Sequence, residues 1–447
     1  MKDFKLLVII VLAPVVLFAG FKKHDLVAKT YALNVTATPG TIVKNQNQAT
    51  YNSGTIVHIT AIPKKSGYTF TSWNGDVMGP TNPLPVTMNA NKDIITFFKV
   101  KIVNVKNTGA IGNGNTDDTR AIQTAIDEVA GTGGTVLIPA GTYLINAITS
   151  LNLKSNMTLK MKKGAILKAI PNSNIRYNII KLSSVTDVHV IGGIYEGERA
   201  SHLGTKGEWG MGIGIYSSNN VLVENVIVKN CWGDGFYIQG NNGKNITLES
   251  VVVDNNRRNG ISIISGNTIL VKNSILKNTN GTGPSAGIDV EPNKDDTVKN
   301  CQIINNEIMG NQHYGILTYK GAPNTIIFNL TISGNNVHDN GVKNTNVDGI
   351  AILSTSGVII SNNNVHNNAR NGIRLGNNKT TTNSIGNKIT NNKVINNGNS
   401  TDNNNFGILL ETGSTGNTIT GNKITDNKNK NIVDNASGNI IRDNIIH

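Results

Sequence analysis

Cysteine is almost missing from this chain: Cys231 and Cys301 are the two in 447 residues. A disulfide-stapled scaffold is therefore excluded, and the two thiols read as buried and free. Helical stretches rich in Glu, Ala and Leu are scarce, which argues against a helical bundle. No basic stripe interleaved with aromatics runs through the sequence, so nucleic acid is not an expected partner. Long apolar runs are lacking beyond Leu6–Phe18. That run follows Lys2 and Lys5 and ends at Ala19-Gly20, so residues 1–21 read as a secretory signal peptide, with no membrane span left after its removal. No Cys follows it to carry a lipid, and the expected location is extracellular, with cell-surface attachment open.

What the chain has in abundance is Gly, Asn, Ile and Thr. Lys plus Arg number 41 against 28 Asp plus Glu, a formal net charge of +13. Many lysines sit in Asn-Lys corners, but the excess also suits attraction to a polyanion. With nucleic acid disfavoured, an acidic polysaccharide is the expected partner.

The dominant pattern is a Gly followed by a branched or aromatic residue. It returns as Gly212-Ile213, Gly235-Phe236, Gly260-Ile261, Gly287-Ile288, Gly315-Ile316, Gly349-Ile350, Gly372-Ile373 and Gly407-Ile408. Each copy opens a short alternating run, as a half-buried strand does. Between copies lie two apolar strands broken by Asn, whose side chain tolerates the left-handed corner conformation and bonds its own backbone. Three short strands per repeat cannot bury an apolar face alone and must stack on their neighbours. The expected fold is all-β: a right-handed parallel β-helix over residues 102–447.

Residues 29–100 differ in composition. Gly67-Tyr68-Thr69-Phe70, Trp73-Asn74-Gly75-Asp76 and Asn91-Lys92-Asp93-Ile94 resemble the divergent internalin-type surface repeat, which implies a small β-grasp-like spacer or attachment module. After it, Ala121, Ile122, Ala125, Ile126 and Val129 recur at helical spacing, with acids at the start of the helix. This helix would plug the open apolar end of the coil, whose bare strand edges invite aggregation. The series Gly109-Ala110, Asp117-Asp118-Thr119, Gly133-Gly134-Thr135-Val136 and Pro139-Ala140-Gly141-Thr142-Tyr143 resembles the start of the pectate-lyase-like superfamily, in its rhamnogalacturonase and epimerase branch. The resemblance implies the β-helix and a carbohydrate-directed protein, but not the reaction, because that branch holds hydrolases, lyases, epimerases and phage tail proteins. The Gly-His-Gly of polygalacturonases and the Asp-Pro-His of mannuronan epimerases have no counterpart here, so site residues come from rung geometry.

With the residue after each Gly pointing inward, those two and four after it point outward. Polar groups then gather between Gly235 and Tyr319. Asp289 and Glu291 share one face, with Asp234 two rungs away, a spread of carboxyls that suits glycoside hydrolysis. Arg257 and Arg258 enter the rung between them, to grip a uronate carboxylate or act as a base. Tyr237, His313, Tyr319 and Lys320 lie on the same or neighbouring rungs as substrate contacts. The polar loop from Tyr195 to Met211 would wall a groove with Glu208 and Trp209, and Trp209 and Trp232 are candidate sugar platforms. No metal site is expected and no cofactor is required, with Ca2+ left open. The expected activity is acid–base hydrolysis of an acidic, uronate-containing polysaccharide. A β-eliminating lyase and a non-catalytic glycan-binding adhesin are the alternatives.

Overall fold

The computed structural model describes residues 28–64, 67–341, 347–377, 383–399 and 405–447. The expected signal peptide lies outside the described residues. Two compact units divide the chain. One comprises residues up to Ile62 together with Phe70–Phe97; the other is Pro63–Thr69 with Phe98–His447.

In the first unit, alternating short strands form two three-stranded sheets. Ile56–Pro63, at the centre of one, alternates exposed and buried residues along most of its length, as a sheet with one wet face requires. Trp73 is fully buried with Tyr51, Val57, Ile59, Val86 and Met88. Its indole N–H donates to the Thr81 carbonyl at 2.9 Å, so it belongs to the core.

The second unit is the coil. Its strands form three parallel sheets of 13, 13 and 11 strands, and every turn but the first and last contributes one strand to each wall. The Gly-led segments make the 11-stranded wall. Ile213, Phe236, Ile261, Ile288, Ile316, Ile350, Ile373 and Ile408 lie in direct register and are wholly buried. Glycine precedes each because the next coil comes too close for a side chain. A Cβ at Gly235 would stand 2.6 Å from a Val253 methyl and 2.7 Å from the Gly260 carbonyl.

The helix Thr119–Val129 buries Ile122, Ala125, Ile126 and Val129 in the same core as the first coils. Its leading acids act on backbone nearby. Asp117 accepts from the Thr119 N–H at 2.9 Å, and Asp118 accepts from Ile111 at 2.6 Å and Gly112 at 2.9 Å, which pins the loop ahead of the helix. Cys231 and Cys301 are buried and free, and burial pushes both thiols far above their usual range.

The corners divide their labour between two successive residues. At Asn305-Asn306, Asn362-Asn363, Asn367-Asn368, Asn391-Asn392 and Asn396-Asn397 the first Asn takes a positive φ and the second turns inward. The inward residues stack on one another, for example Asn306, Asn335, Asn363, Asn392 and Asn422. Each side-chain carbonyl accepts the backbone N–H and the side-chain amide of the residue one coil earlier. The amide also donates to a backbone carbonyl, such as Asn363 to Ile332 at 2.9 Å. Asn363→Ala removes all of these bonds at once and orphans buried partners above and below. It is expected to cost about 2–4 kcal/mol, measured as a shift in the denaturation midpoint. An unchanged midpoint would show that the ladder contributes little.

Candidate active site

The site is built on the outer face of the 11-stranded wall. Register places Asn152, Lys181, Gly214, Tyr237, Ser262 and Asp289 in one column, each on the next coil. Beside it runs a second column that includes Ser183, Tyr216 and Gln239. A cavity of about 800 Å³ opens over these strands. Its polar lining includes Arg258, Glu208, Glu291 and Asn293 towards one end and Asn152, Arg176 and Lys181 towards the other. Trp209, Tyr216 and Tyr237 also face it.

At the acid end, one backbone position does most of the organising. Asn259 stands immediately before the Gly260 phrase and is fully buried. Its backbone N–H donates to Asp234 at 2.9 Å, and its side-chain amide donates to Asp289 at 3.0 Å and to Ser262 at 3.0 Å. The Ser262 hydroxyl in turn donates a hydrogen bond to Asp234 at 2.8 Å. Arg258 closes the cluster, 3.0 Å from Asp234 and 3.7 Å from Glu208.

Asp234 and Asp289 have no exposed surface, whereas Glu291 reaches the cavity. Asp234, expected to face outward as a free acid, therefore lies beneath Arg258 and holds that guanidinium in place. Burial raises the Asp234 carboxyl, and Arg258 pulls it partly back. Asp289 is raised well above the carboxylate range, first by burial and then by the charge of Glu291 beside it. Its Oδ1 meets no donor from elsewhere in the protein. Two ionised carboxylates in contact cannot satisfy each other, which favours the protonated form of Asp289. Glu291 is itself raised by burial, with Arg258 opposing. The surrounding acids hold Arg258 protonated, above even the usual guanidinium range. Burial and Tyr237 push Tyr216 up to about 12, and burial raises Tyr237 as well.

Other expected residues sit elsewhere. Trp232 is not open to a sugar: His202 stacks on its ring at 4.0 Å, and Arg257 lies 3.8 Å from its centroid. Arg257 is turned from the cavity and donates to the Gly207 and Trp232 carbonyls at 2.7 and 3.3 Å. Both residues fasten the 195–211 loop, as does Glu198, which accepts from Tyr177 and pairs with His202 at 3.0 Å. His313 bonds the Pro284 carbonyl at 2.9 Å, and Tyr319 packs against a small apolar cluster with Leu317 and Ala351. These two and Lys320 lie outside the cavity lining. Sequence reasoning missed Asn259, Arg176, Asn178 and Lys181. The strand carrying the last three, Arg176–Ser183, has no leading Gly. Its signal was the alternation Ile180-Lys181-Leu182. Among the described residues, no three His, Cys, Asp or Glu converge as a metal site would.

The family model described as right handed beta helix region matches residues 208–344 and 285–446, together more than half of the 447. The chain belongs to the right-handed β-helix family. Residues 102–186 match the rhamnogalacturonase A/epimerase, pectate lyase-like model, and residues 31–102 match the divergent InlB B-repeat domain. A Bacillus subtilis protein, YclG, is 26% identical over 269 residues, which is 52% of this chain and 45% of that protein. The chain spans less than half the length of the curated relatives it matches. The solved A-module of mannuronan C-5 epimerase AlgE6 from Azotobacter vinelandii is 20% identical, with a TM-score of 0.51 over 77% of this chain and 99% of its own. The exopolygalacturonase of Thermotoga maritima is 15% identical, with a TM-score of 0.53 over 78% and 92%. The Streptococcus pneumoniae adhesin PfbA is 18% identical, with a TM-score of 0.51 over 77% and 91%. These likenesses establish the coil.

The raised Asp289 carries a sign. Its native form keeps a proton that the unfolded chain has released, so the stability it contributes is complete below the unfolded carboxylate pKa. That stability is lost as pH rises through the raised native value. Asp289→Asn imitates the protonated acid and still donates to Glu291. Its melting temperature should exceed that of the wild type increasingly as pH rises. Parallel pH profiles for the two proteins would rule out a proton held at this position.

Proposed function

We propose that this protein is a secreted glycoside hydrolase that cleaves an acidic, uronate-containing polysaccharide. The observation that carries the reading is the Asp289–Glu291 pair, raised by burial and set beside Arg258 and Glu208 at the cavity wall. Glu291, facing the cavity with its proton supply behind it, is suited to protonate a leaving glycosidic oxygen. Glu208, paired with Arg258, supplies a second carboxylate on the same cavity, to activate water or stabilise positive charge on the sugar ring. A carboxyl raised by burial with a second carboxylate on the same cavity is a pattern of such enzymes.

β-Elimination is less well served. It needs a base at the carbon next to the carboxylate, while Arg258 is held protonated and both Tyr216 and Tyr237 are pushed away from ionisation. Secretion agrees with the InlB-type module and with the likeness to a surface adhesin. Among the described residues no helix is long and apolar enough to cross a membrane. That same likeness to an adhesin supports a second reading, in which the groove binds a glycan without turning it over.

Purified protein incubated with pectic, alginate and glycosaminoglycan polymers should release reducing ends with no ultraviolet absorbance from unsaturated uronides. Glu291→Gln should lower kcat by a factor of about 10²–10⁴, and Glu208→Gln should do likewise. Activity should fall as pH rises through the raised value of the acid pair, because the proton to be donated is then gone. Unsaturated products would favour the lyase. Binding without turnover on every polymer would favour the adhesin.

A further inference from the structure

The cavity is polarised along its length, and the acid pair occupies one end only. Lys181 and Asp289 stand in the same column, four coils apart, which is about 19 Å at the usual strand spacing of about 4.8 Å. Between them the column itself carries the uncharged Gly214, Tyr237 and Ser262. At the far end, Lys181 Nζ lies 5.7 Å from the Tyr216 ring centroid, and the Arg176 guanidinium lies 5.0 Å from that of Trp209. No carboxylate lies in salt-bridge contact with either cation among the described residues. The Arg176 charge reaches inward: it favours the ionised forms of Tyr216 and Tyr237 across the cavity. Gly214 lets the Tyr216 ring and the Asn178 side chain lie over the floor, since a Cβ there would collide with both.

Two cations without a salt-bridge partner, held over aromatic faces inside a cavity and four coils from the Asp289–Glu291 pair, are an arrangement for binding anions that also present an apolar sugar face. We propose that Arg176 and Lys181 form a remote carboxylate subsite that reads the charge of a sugar several units from the bond being cleaved. This rests on the cavity being a polysaccharide site and assigns the source of its acid specificity. The subsite requires an occupant that spans from Glu291 to Lys181, so short oligomers engage one end or the other. Arg258, already neutralised by Asp234 and Glu208, is not the main reader of substrate charge.

The test uses the full chain carrying Glu291→Gln, so that binding is measured without turnover. Trp209, lying under Arg176, provides a fluorescence signal, with calorimetry alongside. Polygalacturonate should bind, and its methyl ester should bind at least ten-fold more weakly. Adding Arg176→Ala and Lys181→Ala should weaken polygalacturonate ten- to hundred-fold, reduce its salt dependence and leave the ester unchanged. Both side chains are at least partly exposed, and an unchanged melting temperature would confirm an intact fold. Equal binding of polygalacturonate with and without the two cations would overturn the subsite. So would tight binding of a sulfated neutral glucan where the carboxylate polymer fails. In a background with Glu291 restored, normal cleavage by the double variant would remove the subsite and leave the hydrolase reading standing. Cation-dependent binding with no wild-type turnover would do the reverse.

Discussion

The walls of the coil depend on one coil lying in strict register on the next, and from Asn306 onward buried amides enforce that register. A strand ladder alone tolerates slippage, and a slip of one residue would turn each wall inside out. The inward asparagines prevent this because each is satisfied only when its counterparts one coil away are at the same height. A displaced coil would leave several buried polar groups without partners, at a cost well above that of any one hydrogen bond. The apolar columns and the glycines that admit them are matched to the same spacing.

That registration turns distance in sequence into distance along an axis. Residues from separate repeats, such as Tyr237, Ser262 and Asp289, become neighbours on a rigid surface. Charge is then sorted along the surface. Four acids surround Arg258 at one end, and burial beside Glu291 raises Asp289 well above the carboxylate range. At the other end the cations rest on rings. The result is a groove with an acid pair and two cations at separate places, held on one hydrogen-bonded wall.

Much of this was legible in the chain. The Gly-led phrase identified the wall, its inward column and the outward positions of Tyr237, Asp289 and Glu291, because strand alternation needs nothing beyond local sequence. The Asn corners were recognised for their left-handed backbone, but only half of their work was seen. In an Asn-Asn pair one residue sets the turn while the other joins the ladder, and only stacking distinguishes them. Asp234 was placed on the proper coil yet given the wrong exposure, since it precedes the Gly and falls at a bend rather than on the alternating strand. Arg257 and Arg258 illustrate the same limit. As adjacent residues they diverge, one to a loop carbonyl and an indole face, the other to the acids. Arg176 and Lys181 went unnoticed because their strand carries no leading Gly.

By itself the sequence determined the coil, its plug helix, the separate N-terminal module and which face of each repeat looks outward, because short-range periodicity and close-approach glycines dictate all of these. Only the tertiary structure decided which outward groups are truly exposed, which carboxylates share a proton, and where cations stand unopposed. Those properties arise from neighbours a full coil or more away, and burial, charge pairing and desolvation are set by such neighbours rather than by the residue's own place in the chain.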